Sequence, residues 1–161
     1  MLLNSILSGN KINRYKYEKD TAPITIGTAE NVIKVYYVTD ENQAKELKYT
    51  VEYYKEGTLA DSEKFAERVQ ILAEDKLTVD KTAINTTDKY FGYKFVNTDP
   101  EMIPDTIANG EVIKVYYEID EAQTKELSYK VEYYKDGEKF EEEVEKTTVQ
   151  ILAPETMSVR K

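Results

Sequence analysis

Carboxylates are the densest group of side chains in this sequence that could do chemistry. The segment 138–146 reads EKFEEEVEK and concentrates acidic residues in one short stretch. Such a cluster could bind calcium or supply a carboxylate pair for acid–base catalysis. A calcium loop needs converging oxygens, usually with D-x-D-x-D-G spacing, and that spacing is absent from the sequence. We therefore interpret the segment as the solvated face of a strand, and we expect no metal site and no cofactor.

Two missing residue types exclude most catalytic sites. The 161 residues include no Cys and no His. Without Cys the chain has no thiol nucleophile, thiolate metal site or disulfide, and without His it cannot build a Ser-His-Asp triad. An enzyme would need a carboxylate pair or a Ser-Lys arrangement, and nothing in the sequence places one. We predict that the chain is not an enzyme and has no catalytic residues.

Paired tyrosines are the other feature that could recognise a ligand. The sequence has 14 Tyr and no Trp. Consecutive strand residues point to opposite faces, so if Val51 and Tyr53 face the core, Tyr54 faces outward. Exposed rings could stack on sugar rings, whereas the alternative is cross-strand packing that shields an open face. The same logic gives four outward tyrosines as candidate glycan-stacking residues: Tyr36, Tyr54, Tyr116 and Tyr134.

Charge and hydropathy argue against several partners. A net charge of -9 without a basic stripe disfavours nucleic acid and anionic membrane surfaces. No apolar run is long enough to insert into a membrane. The opening MLLNSILSGNKIN is too short and too weakly apolar for a signal peptide. If the parent protein is exported, we expect its signal to lie elsewhere and this chain to be a fragment.

The sequence repeats itself. VIKVYY occurs at 32–37 and again at 112–117, and the offset is 80 (112 minus 32). VQILA recurs with the same offset at 69–73 and 149–153. The N-terminal part aligns with a slightly different offset, which sets YKYEKD against YKFVNTD and Lys11 against Lys89. These matches predict a tandem-repeat protein.

The repeat predicts where one unit begins and ends. Two polar, Glu/Lys-rich stretches, TDENQAKELK and IDEAQTKELS, lack strand alternation and are interpreted as linkers. The predicted organisation is the C-terminal half of a unit at 1–38, a linker at 39–48, a complete unit at 49–118, a linker at 119–128, and the N-terminal half of a following unit at 129–161.

Within one unit, the patterns predict strands around a short helix. Residues 49–55 alternate as a strand, and a turn at Gly57 leads to a second strand ending in VQILA. Asp80 could cap a short helix over 80–88. Strands at 90–97 and 111–118 complete the unit. This order predicts an α+β fold of the β-grasp (ubiquitin-like) type, strand-rich and in tandem, whose first and last strands are parallel neighbours and whose helix covers one sheet face.

A unit that opens YTVEYYKEG, contains GYKF and closes VIKVYY resembles the mucin-binding-protein (MucBP) repeats of Gram-positive bacterial surface proteins, notably from Firmicutes. The resemblance covers nearly the whole chain and implies a β-grasp-like fold. It also implies an extracellular, cell-wall-attached parent protein and a role in adhesion or as a stalk. It supplies no fixed glycan-binding motif, so it assigns no site residues.

The resemblance and the repeat together predict a non-catalytic adhesin stalk or spacer with weak binding of host mucin or other glycans. The alternative is an accessory substrate-binding repeat of a larger secreted enzyme. Predicted partners are neighbouring repeats and a second copy of the chain, joined through the complementary half-units. An intramolecular Lys–Asn isopeptide bond is a further hypothesis, although no sequence signature marks it.

Overall fold

The computed structural model describes residues 12–159, and these residues are strands almost throughout. A single 3-10 turn lies at Lys81–Ala83. The ten strands are β1 Tyr15–Asp20, β2 Val35–Thr39, β3 Ala44–Lys55, β4 Thr58–Gln70, β5 Lys76–Thr78, β6 Tyr93–Asp99, β7 Thr106–Ala108, β8 Val112–Ile119, β9 Thr124–Lys135 and β10 Glu138–Gln150. No helix within residues 12–159 is long and apolar enough to cross a membrane.

The predicted α+β fold of the β-grasp type is therefore wrong, because the helix expected over 80–88 to cover one sheet face is absent. Asp80 does act as a cap, since its carboxylate accepts a hydrogen bond from the backbone N–H of Thr82. The backbone is already extended at Ile84. The Asn85 side chain then accepts hydrogen bonds from the N–H groups of Thr87 and Asp88, which favours a turn over a helix. An irregular segment thus stands where a helix was expected.

Within residues 12–159 the strands form one four-stranded sheet and three two-stranded sheets. The larger sheet has the order β4-β3-β8-β6, with β3 parallel to β8 and β6 antiparallel to β8. The expected parallel pairing of the unit's first and last strands is confirmed. The smaller sheets pair β1 with β2, β5 with β7, and β9 with β10.

The core consists mainly of one face of β3 and β8. Alternate residues of the two strands are almost completely buried, as expected for strands that cover one side of a core. The irregular segment after β5 contributes the buried side chains Val79 and Ile84. The buried residues of β3 and β8 are Leu47, Tyr49, Val51, Tyr53, Ile113, Val115 and Tyr117.

The chain divides into two compact units, and β3 and β4 each contribute to both. One unit contains the described residues up to Tyr49 together with Phe65–Leu77 and Thr106–Glu111. In it the rings of Tyr49 and Phe65 stack, with centroids 4.9 Å apart. The other unit contains Thr50–Lys64, Thr78–Asp105 and the described residues from Val112 onwards. It holds the parallel pairing of β3 with β8.

The repeat is visible in the strand pairing. The β1–β2 hairpin reproduces the β6–β8 pairing, including an irregularity at the same place: Tyr17 pairs with Tyr37 before it, as Phe95 pairs with Tyr117. The β9–β10 hairpin has the strand bounds of β3–β4 shifted by 80 residues. Both of these longer hairpins close with a two-residue turn of positive φ, Glu56-Gly57 in the first, as a type I′ turn requires.

The two predicted linkers are only partly outside strands. Residues 44–48 belong to β3 and residues 124–128 belong to β9, so the expectation that these stretches lack strand structure is wrong. The reason is that Lys and Glu alternate there with side chains that pack inward, such as the fully buried Leu47. The boundaries of the repeat units themselves stay a prediction.

Candidate functional site

The candidate functional site is the parallel β3–β8 pair, which joins the first strand of the central repeat unit to its last. Thr50–Lys55 lies in register with Val112–Tyr117, one residue against one. The two strands run in the same direction, because the crossover between them returns the chain to the starting edge. Their inward residues are the most deeply buried in the described chain, which shields the backbone hydrogen bonds from water.

Glu56 extends this pair beyond the last strand residues. Its backbone N–H donates to the carbonyl of Tyr117 at 3.0 Å, and its carboxylate accepts from the backbone N–H of Ile119 at 2.5 Å. A side chain in the tight turn after β3 therefore binds the end of β8. Nothing in the sequence pattern had marked Glu56, because its counterpart 80 residues later is Asp136.

Asn109 performs a similar role in the other compact unit. Its side-chain oxygen accepts a hydrogen bond from the backbone N–H of Lys48 at 2.9 Å, and the N–H of Gly110 donates to the Lys48 carbonyl at 2.7 Å. These bonds tie the early part of β3 to the loop that precedes β8. The residues are about 60 positions apart in sequence, so no local pattern could have identified them.

Beneath the sheet, two buried tyrosines share one asparagine. The Tyr117 hydroxyl donates to the backbone carbonyl of Asn85 at 2.8 Å, and the N–H of Asn85 donates to the Tyr53 hydroxyl at 3.2 Å. Burial raises the pKa of Tyr117, so its hydroxyl stays protonated and able to donate. The irregular segment after β5 is thereby fixed to both strands of the parallel pair.

Lys89 covers this cluster from one side. Its ammonium lies 4.2 Å from the centroid of the Tyr53 ring and 3.2 Å from an oxygen of Asp61. Burial lowers the pKa of Lys89, but the hydrogen bond to Asp61 and the nearby negative groups outweigh it, so the net shift of the pKa is upward. The Lys89 ammonium is thus held in an ion pair with Asp61 against the face of the Tyr53 ring, and the isopeptide bond stays a hypothesis.

The predicted outward tyrosines Tyr54 and Tyr116 lie side by side. They are directly paired across β3 and β8, their ring centroids are 5.3 Å apart and their planes are inclined at 33°. Both are half-buried, and the Lys114 ammonium lies 5.8 Å from the Tyr54 ring centroid. The Tyr54 hydroxyl donates to the Glu52 carboxylate, which raises the pKa of Tyr54. Each ring is thus packed against a neighbour across the strands.

The other two candidate tyrosines are more exposed and belong to separate two-stranded sheets. Tyr36 in β2 is 41% exposed, with the Lys19 ammonium 5.5 Å from its ring centroid. Tyr134 in β9 is 58% exposed, and its hydroxyl donates to Glu132 at 2.6 Å. The structure therefore brings two of the four candidates together and leaves the other two as single rings.

A shallow groove of about 410 Å³ lies beside the Tyr54–Tyr116 pair, lined by Glu56, Gly57, Val96, Asn97, Tyr116, Tyr117 and Glu118. Its wall combines two carboxylates with tyrosine rings and the side chain of Val96. Across residues 12–159, side chains that could hold a metal ion do not come together in groups of three or more. The acidic segment 138–146 forms most of β10 and is largely exposed, as predicted by its interpretation as the solvated face of a strand.

The turns that follow β2 and β8 are built in the same way. Gln123 donates its N–H to the Asp120 carbonyl at 3.0 Å and its side-chain amide to the Asp120 carboxylate at 3.0 Å. Gln150 donates its side-chain amide to the Asp120 carbonyl at 3.2 Å. The hydrogen bonds to Asp120, the amide of Gln123 foremost, lower the pKa of its carboxyl. The counterparts 80 residues earlier make the same contacts: Asp40, Gln43 and Gln70.

Beside each of these turns, a lysine side chain donates a hydrogen bond to a further backbone carbonyl. Lys45 donates to the carbonyl of Ala73 and also pairs with Asp75 at 2.8 Å, while Lys125 donates to the carbonyl of Ala153. Two turns that share these hydrogen bonds each connect a closing strand to the next hairpin. The repetition of Asp, Gln and Lys at an offset of 80 was a signal in the sequence that could have identified these turns.

Comparisons with protein-family profiles, with curated proteins and with solved structures found no match to this chain.

Proposed function

We propose that this chain is a non-catalytic, load-bearing spacer made of tandem repeats. The observation that carries the proposal is the parallel register of β3 and β8, the first and last strands of the central unit. A pull along the chain acts on the start of β3 and on the end of β8 in opposite directions. Because the strands are parallel, that pull loads their hydrogen bonds together, in shear, instead of opening them one after another.

The turns at Asp40 and Asp120 support the same function. A spacer must hold its repeats at a defined separation, and a flexible linker would shorten under thermal motion. Each turn instead connects a closing strand to the next hairpin through several side-chain and backbone hydrogen bonds. Hydrogen bonds that fix the chain at these points reduce the number of conformations that it can adopt there.

The setting of this spacer follows from the sequence resemblance and is part of the proposal. The parent protein is an extracellular, cell-wall-attached protein of a Gram-positive bacterium, and the repeats hold its distal parts away from the wall. The high surface charge and the exposed acidic strand β10 suit a polymer that stays soluble and extended outside the cell.

Single-molecule stretching of the chain through its two ends tests the mechanical function. The stretch from Thr50 to Tyr117 extends to roughly 230 Å at about 3.4 Å per residue. We expect one force peak followed by an extension of that size, less the folded separation of the two residues. Featureless extension at low force would contradict the load-bearing function.

Glycan binding by the outward tyrosines is a second candidate function, favoured by the exposure of the Tyr36 and Tyr134 rings. Aromatic rings on an open sheet face can stack on sugar rings, and repetition along a chain multiplies weak contacts. Retention on a mucin-glycan array tests it. We expect Tyr36→Ala and Tyr134→Ala to reduce the signal, and an unchanged signal would exclude these rings as the binding site.

A further inference from the structure

The inward-facing side chains of β9 correspond to those of β3, but β9 lies in a two-stranded sheet with β10. Its outer edge is the edge that faces away from β10. Val131 and Tyr133 stand where the central unit has Val51 and Tyr53, whose exposures are 0% and 1%. Tyr133 is 39% exposed, and Val131 is only half-buried. This edge therefore presents apolar side chains and unpaired strand groups that in the central unit are covered by β8.

The strand β2 presents the complementary edge. Residues 32–37 have the same sequence, VIKVYY, as the β8 residues that cover β3. Val35 and Tyr37 are half-buried, whereas their counterparts Val115 and Tyr117 are 0% and 2% exposed. β2 is paired with β1 in a two-stranded sheet, just as β8 is paired with β6 in the larger one.

We propose that β9 of one copy of this chain pairs in parallel with residues 32–37 of a second copy. The pairing rebuilds between two molecules the order found within the central unit, as β10-β9-β2-β1 in place of β4-β3-β8-β6. Adding 80 to the β3 position and subtracting 80 from the β8 position converts Val51↔Ile113 into Val131↔Ile33, and Tyr54↔Tyr116 into Tyr134↔Tyr36.

The side chains around the new core match this arrangement. In the central unit the Lys89 ammonium lies 3.2 Å from Asp61 and 3.6 Å from Glu63, both on β4. Their counterparts on β10 are Glu141 and Glu143, so the acidic charge is retained. The sequence counterpart of Lys89 is Lys11, which lies outside the described residues.

The two complementary surfaces lie on different parts of the chain, so the contact is heterologous. Repetition of one such contact gives open chains or rings, and two copies that exchange both surfaces give a closed dimer. The proposal concerns a partner surface and stands apart from the load-bearing role of the β3–β8 pair, which is complete within a single molecule.

Engineered disulfides test the pairing and its register, because the natural chain has no Cys. The double variant Tyr36→Cys/Tyr134→Cys places thiols at directly opposed positions of the proposed pair, within the reach of a disulfide. The matched control Tyr36→Cys/Glu132→Cys moves one thiol by two residues on the same face. We expect mild oxidation to link the first variant into covalent dimers or longer species and to leave the control unlinked.

A pair of substitutions to Lys gives an independent test by sedimentation. Val131→Lys places a charge in the rebuilt core and should weaken association about tenfold or more. Val144→Lys introduces the residue that the central unit has at the counterpart position, Lys64, and should leave association unchanged. The melting of the central unit should be the same in both variants.

The outcomes are distinct. Concentration-dependent association, an intermolecular disulfide in register and selective loss with Val131→Lys support the proposal. A strictly monomeric chain, a disulfide formed within one molecule, or equal cross-linking of the control would overturn it. Equal weakening by Val131→Lys and Val144→Lys would overturn it as well.

Discussion

Val51 lies directly opposite Ile113 in the parallel β3–β8 pair, and both side chains are completely buried. This contact joins the strand that opens the central repeat unit to the strand that closes it, although more than 60 residues separate them in sequence. Apolar side chains in such a position stabilise the fold through burial and keep water away from the neighbouring backbone hydrogen bonds. The load-bearing role proposed for this chain depends on that pair.

Ile113 tests the contribution of the shared core. We expect Ile113→Ala to lower the free energy of unfolding by about 2–5 kcal/mol and Ile113→Val by about 0.5–1.5 kcal/mol, because deleted methyl groups leave a cavity in close-packed surroundings. Urea unfolding measures both losses. The control Ile26→Ala, at a side chain that is 67% exposed, should change the free energy little. Similar losses at the two positions would place the core elsewhere.

Tyr117 tests the fixation of the irregular segment that replaces the expected helix. Tyr117→Phe keeps the ring and removes the hydroxyl that donates to the Asn85 carbonyl. We expect a loss of about 1–3 kcal/mol in the free energy of unfolding, because the part-buried backbone carbonyl of Asn85 would lose its hydrogen-bond donor. Tyr36→Phe, on an exposed ring, is the matched control. Equal stability of the two variants would show that the hydroxyl contributes nothing.

Lys89 tests whether a partly buried ion pair over an aromatic ring matters more than an exposed one. The Lys89 side chain is 18% exposed and contacts both Asp61 and the Tyr53 ring, whereas Lys81, paired with Asp105, is 49% exposed. We expect Lys89→Met to lower the free energy of unfolding by about 1 kcal/mol and Lys81→Met by less. Thermal melts at low and high salt measure both losses. A larger effect at Lys81 would contradict this ranking.

The stability that the Asp40 and Asp120 carboxylates give to their turns should depend on pH only under acidic conditions. Hydrogen bonds lower the pKa of both carboxyls, for Asp40 chiefly from the backbone of Asn42. A carboxyl whose folded-state pKa is lowered stabilises the fold above its unfolded pKa of about 3.9, and that contribution is lost as the pH falls through the folded value. Carboxyl NMR titration should give midpoints below about 3.9 for both residues. A midpoint at or above that value would contradict these hydrogen bonds.

Much of the sheet could be predicted because its signals are local. Alternation identified the strands that became β3 and β8 and their inward faces, and the repeat offset matched their counterparts. The helix prediction failed because Asp80 resembles a helix cap, whereas the following Thr82, Ile84 and Asn85 favour extended or turn conformations. A cap signal without good helix formers behind it gave only a 3-10 turn.

The contacts that complete the candidate site were beyond sequence reasoning because they are made across the chain. The Glu56 carboxylate accepts a hydrogen bond from the end of β8, and the Asn109 side chain accepts one from the backbone of Lys48. Neither residue type recurs 80 residues away in the sequence. The outward direction of Tyr54 and Tyr116 was predictable from alternation. Their packing against each other depends on the parallel register, which only the folded sheet defines.

The most direct test of the load-bearing account changes the direction of the pull while it keeps the molecule the same. Cys handles at Thr50 and at the exposed Glu118 pull on opposite ends of the parallel pair and load it in shear. Handles at the exposed Thr58, directly after the turn that follows β3, and at Glu118 pull on neighbouring ends, so the same hydrogen bonds open one after another.

We predict a clearly higher unfolding force in optical-tweezer or force-microscope measurements for the Thr50–Glu118 direction than for the Thr58–Glu118 direction at the same loading rate. Equal forces in the two directions would contradict the account, because the strength of the unit would then not come from the parallel β3–β8 pair.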